Sequence, residues 1–191
     1  MTDIDNEEEM MSIYQETPSV KARMARLDRI LAEEGLTSRK REVLSRRLVC
    51  MLVPAGTKGA VRGRLFNKMV EGEVSRALGR RRGVSFSVEK AHPLFQEIPD
   101  WVLHKNNKTL VGFNQVSLFG GGHQVNRGGK YVMDDTLHRR LARRGVRMVC
   151  IVKDFPSRGK GKGWEITCAG VAKKRLYPLG GIKELVEEFL K

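Results

Sequence analysis

Cysteine is scarce in this chain and follows no pattern. Cys50, Cys150 and Cys168 sit far apart in apolar runs, and no C-x-x-C pair occurs. The four histidines, His92, His104, His123 and His138, form no zinc-ligand spacing. A disulfide-stapled scaffold and a zinc ribbon are therefore excluded. Reduced, buried thiols in an intracellular compartment are expected, with cytoplasm, nucleus and virion left open. Long apolar runs are missing too: "LVCMLV" and "VRMVCIV" fall far short of the ~20 residues that span a bilayer. The chain opens on acids rather than on a basic and then apolar stretch, so no secretory signal is expected. A Walker A loop is absent as well. Gly129-Lys130 is followed by Tyr131, and Gln124 stands where the first glycine would be.

Charge, by contrast, is plentiful and unevenly placed. The 191 residues carry 36 Lys and Arg against 22 Asp and Glu, a net charge of +14. Residues 1–16 hold six acids and no Lys or Arg, which leaves +20 on the remainder. A body this basic points to a polyanion, nucleic acid first. The length fits one domain with extensions. The boundaries read as an acidic, unstructured tail over 1–17, a basic helical extension over 18–60 and a core over 61–191.

Apolar spacing predicts helices from Pro18 to about Gly35 and again over "TSRKREVLSRRLVCMLV", then a loop at "PAGTKG". The next helix is "RLFNKMVEGEVSRAL". Its apolar face holds Phe66, Val70 and Val74, with Glu73 near the middle of that face and Glu71 at its edge. An acid there is costly unless something pairs with it. After "GRRRG" the period becomes two. "VSFSV", "IPDWVLH" and "TLVGFNQVSLF" read as strands, with "KNNK" as the turn of a hairpin. A helix secure from Asp134, the strand "VRMVCIV", a strand at "WEITCAGV" and a helix at "GIKELVEEFL" follow. The mixture predicts an α/β fold with a central sheet.

Chemistry concentrates around the hairpin. A turn at 106–107 brings Asp100 beside residues 114 and 115, which are Asn and Gln. Gln124, Asn126, Arg127 and Lys130 lie just past three glycines. Phosphodiester cleavage needs a hard cation on oxygen ligands and a nearby positive charge for the transition state. One Asp and one Glu can supply the negative charge, an amide carbonyl a neutral ligand, and a nearby Lys or Arg the positive charge. Gln124, Asn126 and Arg127 suit phosphate or a base edge. Arg139, Arg140 and Arg143 form a cationic helix face suited to phosphate contacts. Asn114 and Gln115 equally suit plain satisfaction of neighbouring sheet groups, and Trp101 suits the core.

The order of elements over residues 62–153, with "IPD" at 98–100, "TLVGFNQV" and Glu73, resembles the PD-(D/E)XK nuclease superfamily. The resemblance implies a restriction-endonuclease-like αβββαβ core with a mixed sheet flanked by helices. It implies an Mg²⁺-dependent endonuclease acting on duplex DNA, with site-specific cleavage and action as a homodimer both compatible. Asp100 and Glu73 would bind the metal. No (D/E)-X-K stands on the third strand, where Asn114-Gln115-Val116 takes its place. Members with Asn or Gln for the acid, or with the lysine moved to the next helix, make Asn114, Gln115 and Lys130 the matching catalytic positions. The missing acid and lysine equally suit an inactive DNA- or RNA-binding protein, and the basic body suits a ribosomal or packaging protein.

Overall fold

The computed structural model describes residue 4 and residues 6–118, 126–155 and 159–191, with the backbone alone for 7, 8, 49 and 50. The chain divides into two compact units, Met1–Leu65 and Phe66–Lys191, with the boundary inside a helix.

The first unit is helical. Helix α1 covers Glu7–Gln15, α2 Pro18–Glu33 and α3 Ser38–Leu52, and α4 runs over Ala55–Leu78 into the second unit. Within the acidic start, expected to be unstructured over 1–17, residues 7–15 are helical, and residues 1–3 and 5 lie outside the described residues. Met10 and Tyr14, four apart on one face of α1, are both buried, and α1 packs on α2 and α3. Gly35, at φ +77°, ends α2 as expected. Arg41 on α3 meets Asp28 on α2 at 3.0 Å. "PAGTKG" is not a loop. Pro54 sets the entry, its carbonyl accepts the Lys58 amide at 3.0 Å, and the helix runs on through Gly56 and Gly59.

The second unit holds a five-stranded mixed sheet in the order β1-β2-β3-β4-β5. The strands are β1 Val84–Val88, β2 Trp101–Lys105, β3 Lys108–Gln115, β4 Val146–Val152 and β5 Leu176–Pro178. β1, β2 and β3 are antiparallel neighbours, while β3, β4 and β5 run parallel. The hairpin turn is Asn106-Asn107, with Lys105 opposite Lys108 and Asn106 at φ +52°, a conformation that asparagine tolerates. Trp101 therefore faces Gly112. The Trp101 indole lies across that glycine: a Cβ there would stand 1.9 Å from Trp101 Cε2. The tryptophan is wholly buried, a core residue as its alternation with Asp100 predicts.

A π-helical turn at Gly129–Met133 leads to α5, Asp135–Ala142. Asp134 caps α5 by accepting the Leu137 amide at 2.8 Å. The His138 ring bonds the Tyr131 carbonyl at 2.8 Å. Phe113, Tyr131, Leu141 and Met148 join in one core cluster.

"WEITCAGV" is not a strand but part of α6, Lys162–Ala172. Its buried residues Gly163, Ile166, Thr167 and Gly170 follow helical spacing, with two glycines standing where an apolar stripe would be read. A Cβ on Gly170 would reach within 2.6 Å of Leu176 Cβ, so the small face is what lets α6 lie against β5. The final helix α7, Ile182–Phe189, buries Ile182, Leu185, Val186 and Phe189. Cys150 is buried as expected, but Cys168 is exposed on α6. No helix among the described residues is long and apolar enough to cross a membrane.

Candidate functional site

Three elements meet at the end of β3. Helix α4 supplies Asn67, the start of β2 supplies Asp100, and β3 supplies Asn114 and Gln115. The hairpin register makes the contact, because pairing Trp101 with Gly112 places Asp100 beside the next residues of β3. Asp100 Oδ2 accepts the Asn114 backbone N–H at 2.6 Å, and Asp100 Oδ1 accepts Asn67 Nδ2 at 2.9 Å. Asn114 Nδ2 donates to Asn67 Oδ1 at 3.1 Å, and Trp101 Nε1 donates to Asn114 Oδ1 at 3.1 Å. Asp100, Asn67, Asn114 and Trp101 thus form one connected network. Asn114, 8% exposed, has every side-chain polar atom engaged in it.

Burial raises the Asp100 pKa above the ordinary carboxylate value, against the hydrogen bonds from Asn114 and Asn67 and the attraction of Arg127. Glu89 pushes the same way as burial. Glu71 is raised too, by burial first and then by Glu89, with Asp100 adding to the effect. Asp100, Glu71 and Glu89 therefore share one negative field. Glu73 does not belong to it. It pairs with Arg76 one turn along α4 at 2.7 Å, and so escapes the cost of an unpaired acid. Glu73, expected as a metal ligand, is held by Arg76, and Glu71 is the α4 acid on which the charge of Asp100 acts.

Gln115 differs from its neighbour. It is 6% exposed, and neither Oε1 nor Nε2 has a hydrogen-bond partner among the described residues. Gly128 lies over it. A Cβ on Gly128 would sit 3.7 Å from Gln115 Oε1 and 2.5 Å from Leu118 Cδ2, so only glycine lets the segment close down on the strand end.

The segment after the glycines is anchored by Tyr131, which stacks on Phe113 with ring centroids 4.0 Å apart. Glu97 gathers the polar groups around it. Its carboxylate accepts Lys130 Nζ at 2.8 Å and the Tyr131 hydroxyl, and lies 3.4 Å from Arg127 Nη2. The hydrogen bond from Lys130, then that from Tyr131, holds the Glu97 carboxyl below its usual pKa. Lys130 is thus committed to Glu97 and not to Asp100. Its expected approach to the acid is corrected, since Tyr131 and Glu97 fix where the turn can point. Arg127 is a cation whose charge reaches Asp100, and its Nε is buried without a partner among the described residues.

Asn126 is exposed in the short helical turn before Arg127, and Gln124 and the three glycines fall outside the described residues. Arg139, Arg140, Arg143 and Arg144 are exposed around the end of α5, as a cationic face requires.

Among the described residues, no group of three or more His, Cys, Asp or Glu converges as a metal cage. The oxygen donors at the strand end are the Asp100 carboxylate and the unbonded Gln115 carbonyl, with Glu71 adding negative charge. Such a set fits a hard cation that keeps most of its own waters, and would not fit a cation needing a closed protein cage.

Asn67, Glu71, Glu89, Glu97 and Tyr131 were not assigned roles from the sequence. Asn67 and Glu71 did carry a signal: they stand four apart on α4, a polar pair flanking the Phe66–Val70–Val74 stripe. No signal short of the fold linked Glu97 to Lys130.

No family model matches this chain, and no curated protein or solved structure matches it.

Proposed function

We propose that this chain is a nucleic-acid phosphodiesterase of restriction-endonuclease-like architecture, cleaving duplex DNA with Mg²⁺. One observation carries the reading. Gln115 is buried with both amide atoms unbonded among the described residues, one residue from the backbone N–H that holds Asp100. Each buried polar group left unmet costs about 1–3 kcal/mol. A folded chain tolerates that where a ligand completes the bonding. The order α4, β1, β2, β3, α5, β4, with β2 antiparallel between β1 and β3, supports the architecture.

Asp100 and Gln115 Oε1 would hold the cation, with Glu71 in place of the expected Glu73 as the second acid. Mg²⁺ bound there would supply Lewis acidity and a water of lowered pKa. The remaining work falls to the chain itself. Arg127 holds a phosphate oxygen with the guanidinium that faces Asp100. Glu97 fixes the direction of Arg127 and keeps Lys130 at the rim as a backbone-phosphate contact. Asn67 and Asn114 orient the Asp100 carboxylate. The exposed arginines of α5 extend the contact to flanking phosphates.

A second reading is binding without cleavage. It is favoured by the two hydrogen bonds that already satisfy the Asp100 carboxylate and by the capture of Lys130 by Glu97. Incubation of the full chain with supercoiled plasmid in Mg²⁺, Mn²⁺ or EDTA separates the two. Metal-dependent nicking that is lost in Asp100→Asn supports the nuclease. Retention of DNA by both proteins in EDTA, with no cleavage in either metal, leaves binding alone.

A further inference from the structure

A second charged feature lies far from Asp100. Residues Thr109 and Val146, which pair at the opposite end of β3 and β4 from Gln115, border a cleft of about 510 Å³. Six residues along β3 separate Thr109 from Gln115, which is about 20 Å of strand. The two places therefore do not share a ligand the size of one nucleotide.

Six cations line this cleft: Lys108, Arg139, Arg147, Lys173, Lys174 and Arg175. Glu188 lines it as well, and Asp135 stands beside Lys173 and Arg175. The cations outnumber these carboxylates three to one. Ala142, Lys173 and Phe189, at the C-terminal ends of α5, α6 and α7, line the cleft, and three helix C-termini together carry roughly one and a half negative charges. The balance stays positive after that subtraction.

The cations are not equivalent. Arg147 is pinned by Glu188 at 3.3 Å and by the Lys174 carbonyl at 3.2 Å, and lies over the Tyr177 ring. Arg175 is pinned by the Val132 carbonyl at 3.0 Å and by Asp135. These two form fixed walls. Lys108 is exposed and has no side-chain partner among the described residues, and Arg139 makes only an Nε bond to a backbone carbonyl. Two exposed donors and two pinned guanidinium groups thus line the same cleft. The apolar floor of the cleft is given by Ala142, which is exposed, with the nearly buried Val146 and Phe189.

We infer that this cleft binds a small anion bearing two or more phosphoryl groups, of the nucleoside polyphosphate class. Guanidinium and ammonium donors match phosphoryl oxygens, and the apolar floor suits the flat face of a base. The volume falls within the range of small-molecule sites. Concavity favours a small ligand over the convex backbone of a duplex. The site does not depend on the nuclease reading, since it uses none of Asp100, Gln115 or Arg127.

Titration calorimetry of the full chain with inorganic tripolyphosphate, with ATP and with a short DNA duplex tests it. Three variants are compared: Lys108→Glu/Arg139→Glu in the cleft, Arg39→Glu/Lys40→Glu on the exposed surface of α3, and Asp100→Asn. All four exchanged cations are exposed, so thermal melting should show the fold intact. Tripolyphosphate and ATP should bind the parent, and binding should fall by about tenfold or more in the cleft variant alone, as loss of two charge-assisted contacts predicts. Tighter binding of ATP than of tripolyphosphate would assign the apolar floor to the base. Absence of binding to the parent, or equal weakening in the cleft and α3 variants, would overturn the inference in favour of diffuse charge. Loss of duplex binding alone in the cleft variant would overturn it in favour of a nucleic-acid backbone contact.

Discussion

Asp100 and Asn114 are joined across the hairpin by a 2.6 Å hydrogen bond from the Asn114 backbone N–H to the Asp100 carboxylate. Asn67 then ties both side chains to α4. Two substitutions separate charge from architecture at this point. Asp100→Asn keeps the shape and should abolish plasmid cleavage while leaving most DNA binding. Asn67→Ala removes a bond from each partner and should destabilise the fold by about 1–3 kcal/mol, seen as a lower urea midpoint. Cleavage at the parental rate in Asp100→Asn would remove Asp100 from the chemistry.

Lys130 and Arg127 both reach Glu97, yet only Arg127 is coupled to Asp100. Lys130→Ala should therefore reduce the cleavage rate by less than about tenfold. Its half-exposed ion pair should contribute about 0–1 kcal/mol to stability. Arg127→Ala should reduce the rate by about 10²-fold or more, as removal of a charge at the transition state does. Single-turnover rates on a defined duplex distinguish them. The reverse order would return Lys130 to the centre of the site.

Gly112→Ala should be among the most damaging single substitutions in the sheet. The new methyl would stand 1.9 Å from the Trp101 indole, which is fully buried and cannot swing to solvent. Overpacking of this kind costs about 3 kcal/mol. Denaturant unfolding should show it, and a second substitution of Trp101 by Leu should recover part of the loss. An unchanged midpoint in Gly112→Ala would contradict the close approach.

The dependence of stability on pH carries a sign. Burial places the folded-state pKa of Asp100 above its ordinary value of 3.8, so the folded chain holds this proton more tightly than the unfolded chain. The resulting stabilisation is complete below the unfolded pKa and is lost as pH rises through the folded one. Asp100→Asn mimics the protonated acid at every pH. The stability of the variant relative to the parent should therefore increase as pH rises from below 3.8 toward neutrality, measured by urea unfolding at each pH. A difference constant across that range would mean that folding leaves the Asp100 pKa unchanged.

Local chemistry decided the hairpin, β4, α7 and the end of α2. Asn106 at a two-residue turn fixes the β2–β3 register, and that register alone carries Asp100 to Asn114 from fourteen residues away. The sequence therefore determined the acid, its amide neighbours and the excess of positive charge. It misread α6, because the helical stripe there is built on Gly163 and Gly170 while Ile166 and Thr167 favour strand. It also left β5 unread, since three residues are too short to show a period. Glu73 found Arg76 three residues on in its own helix, a local pairing. The partner of Lys130 was decided only by the tertiary structure, which turned it to Glu97 and left Gln115 without a partner among the described residues, under Gly128. Backbone periodicity fixes which face a residue takes, but a long charged side chain settles on whichever opposite charge the packed elements bring within reach. Glu97 and Lys130 are brought together across 33 residues by the Phe113–Tyr131 stack, a contact that exists only once the sheet and the turn above it have closed.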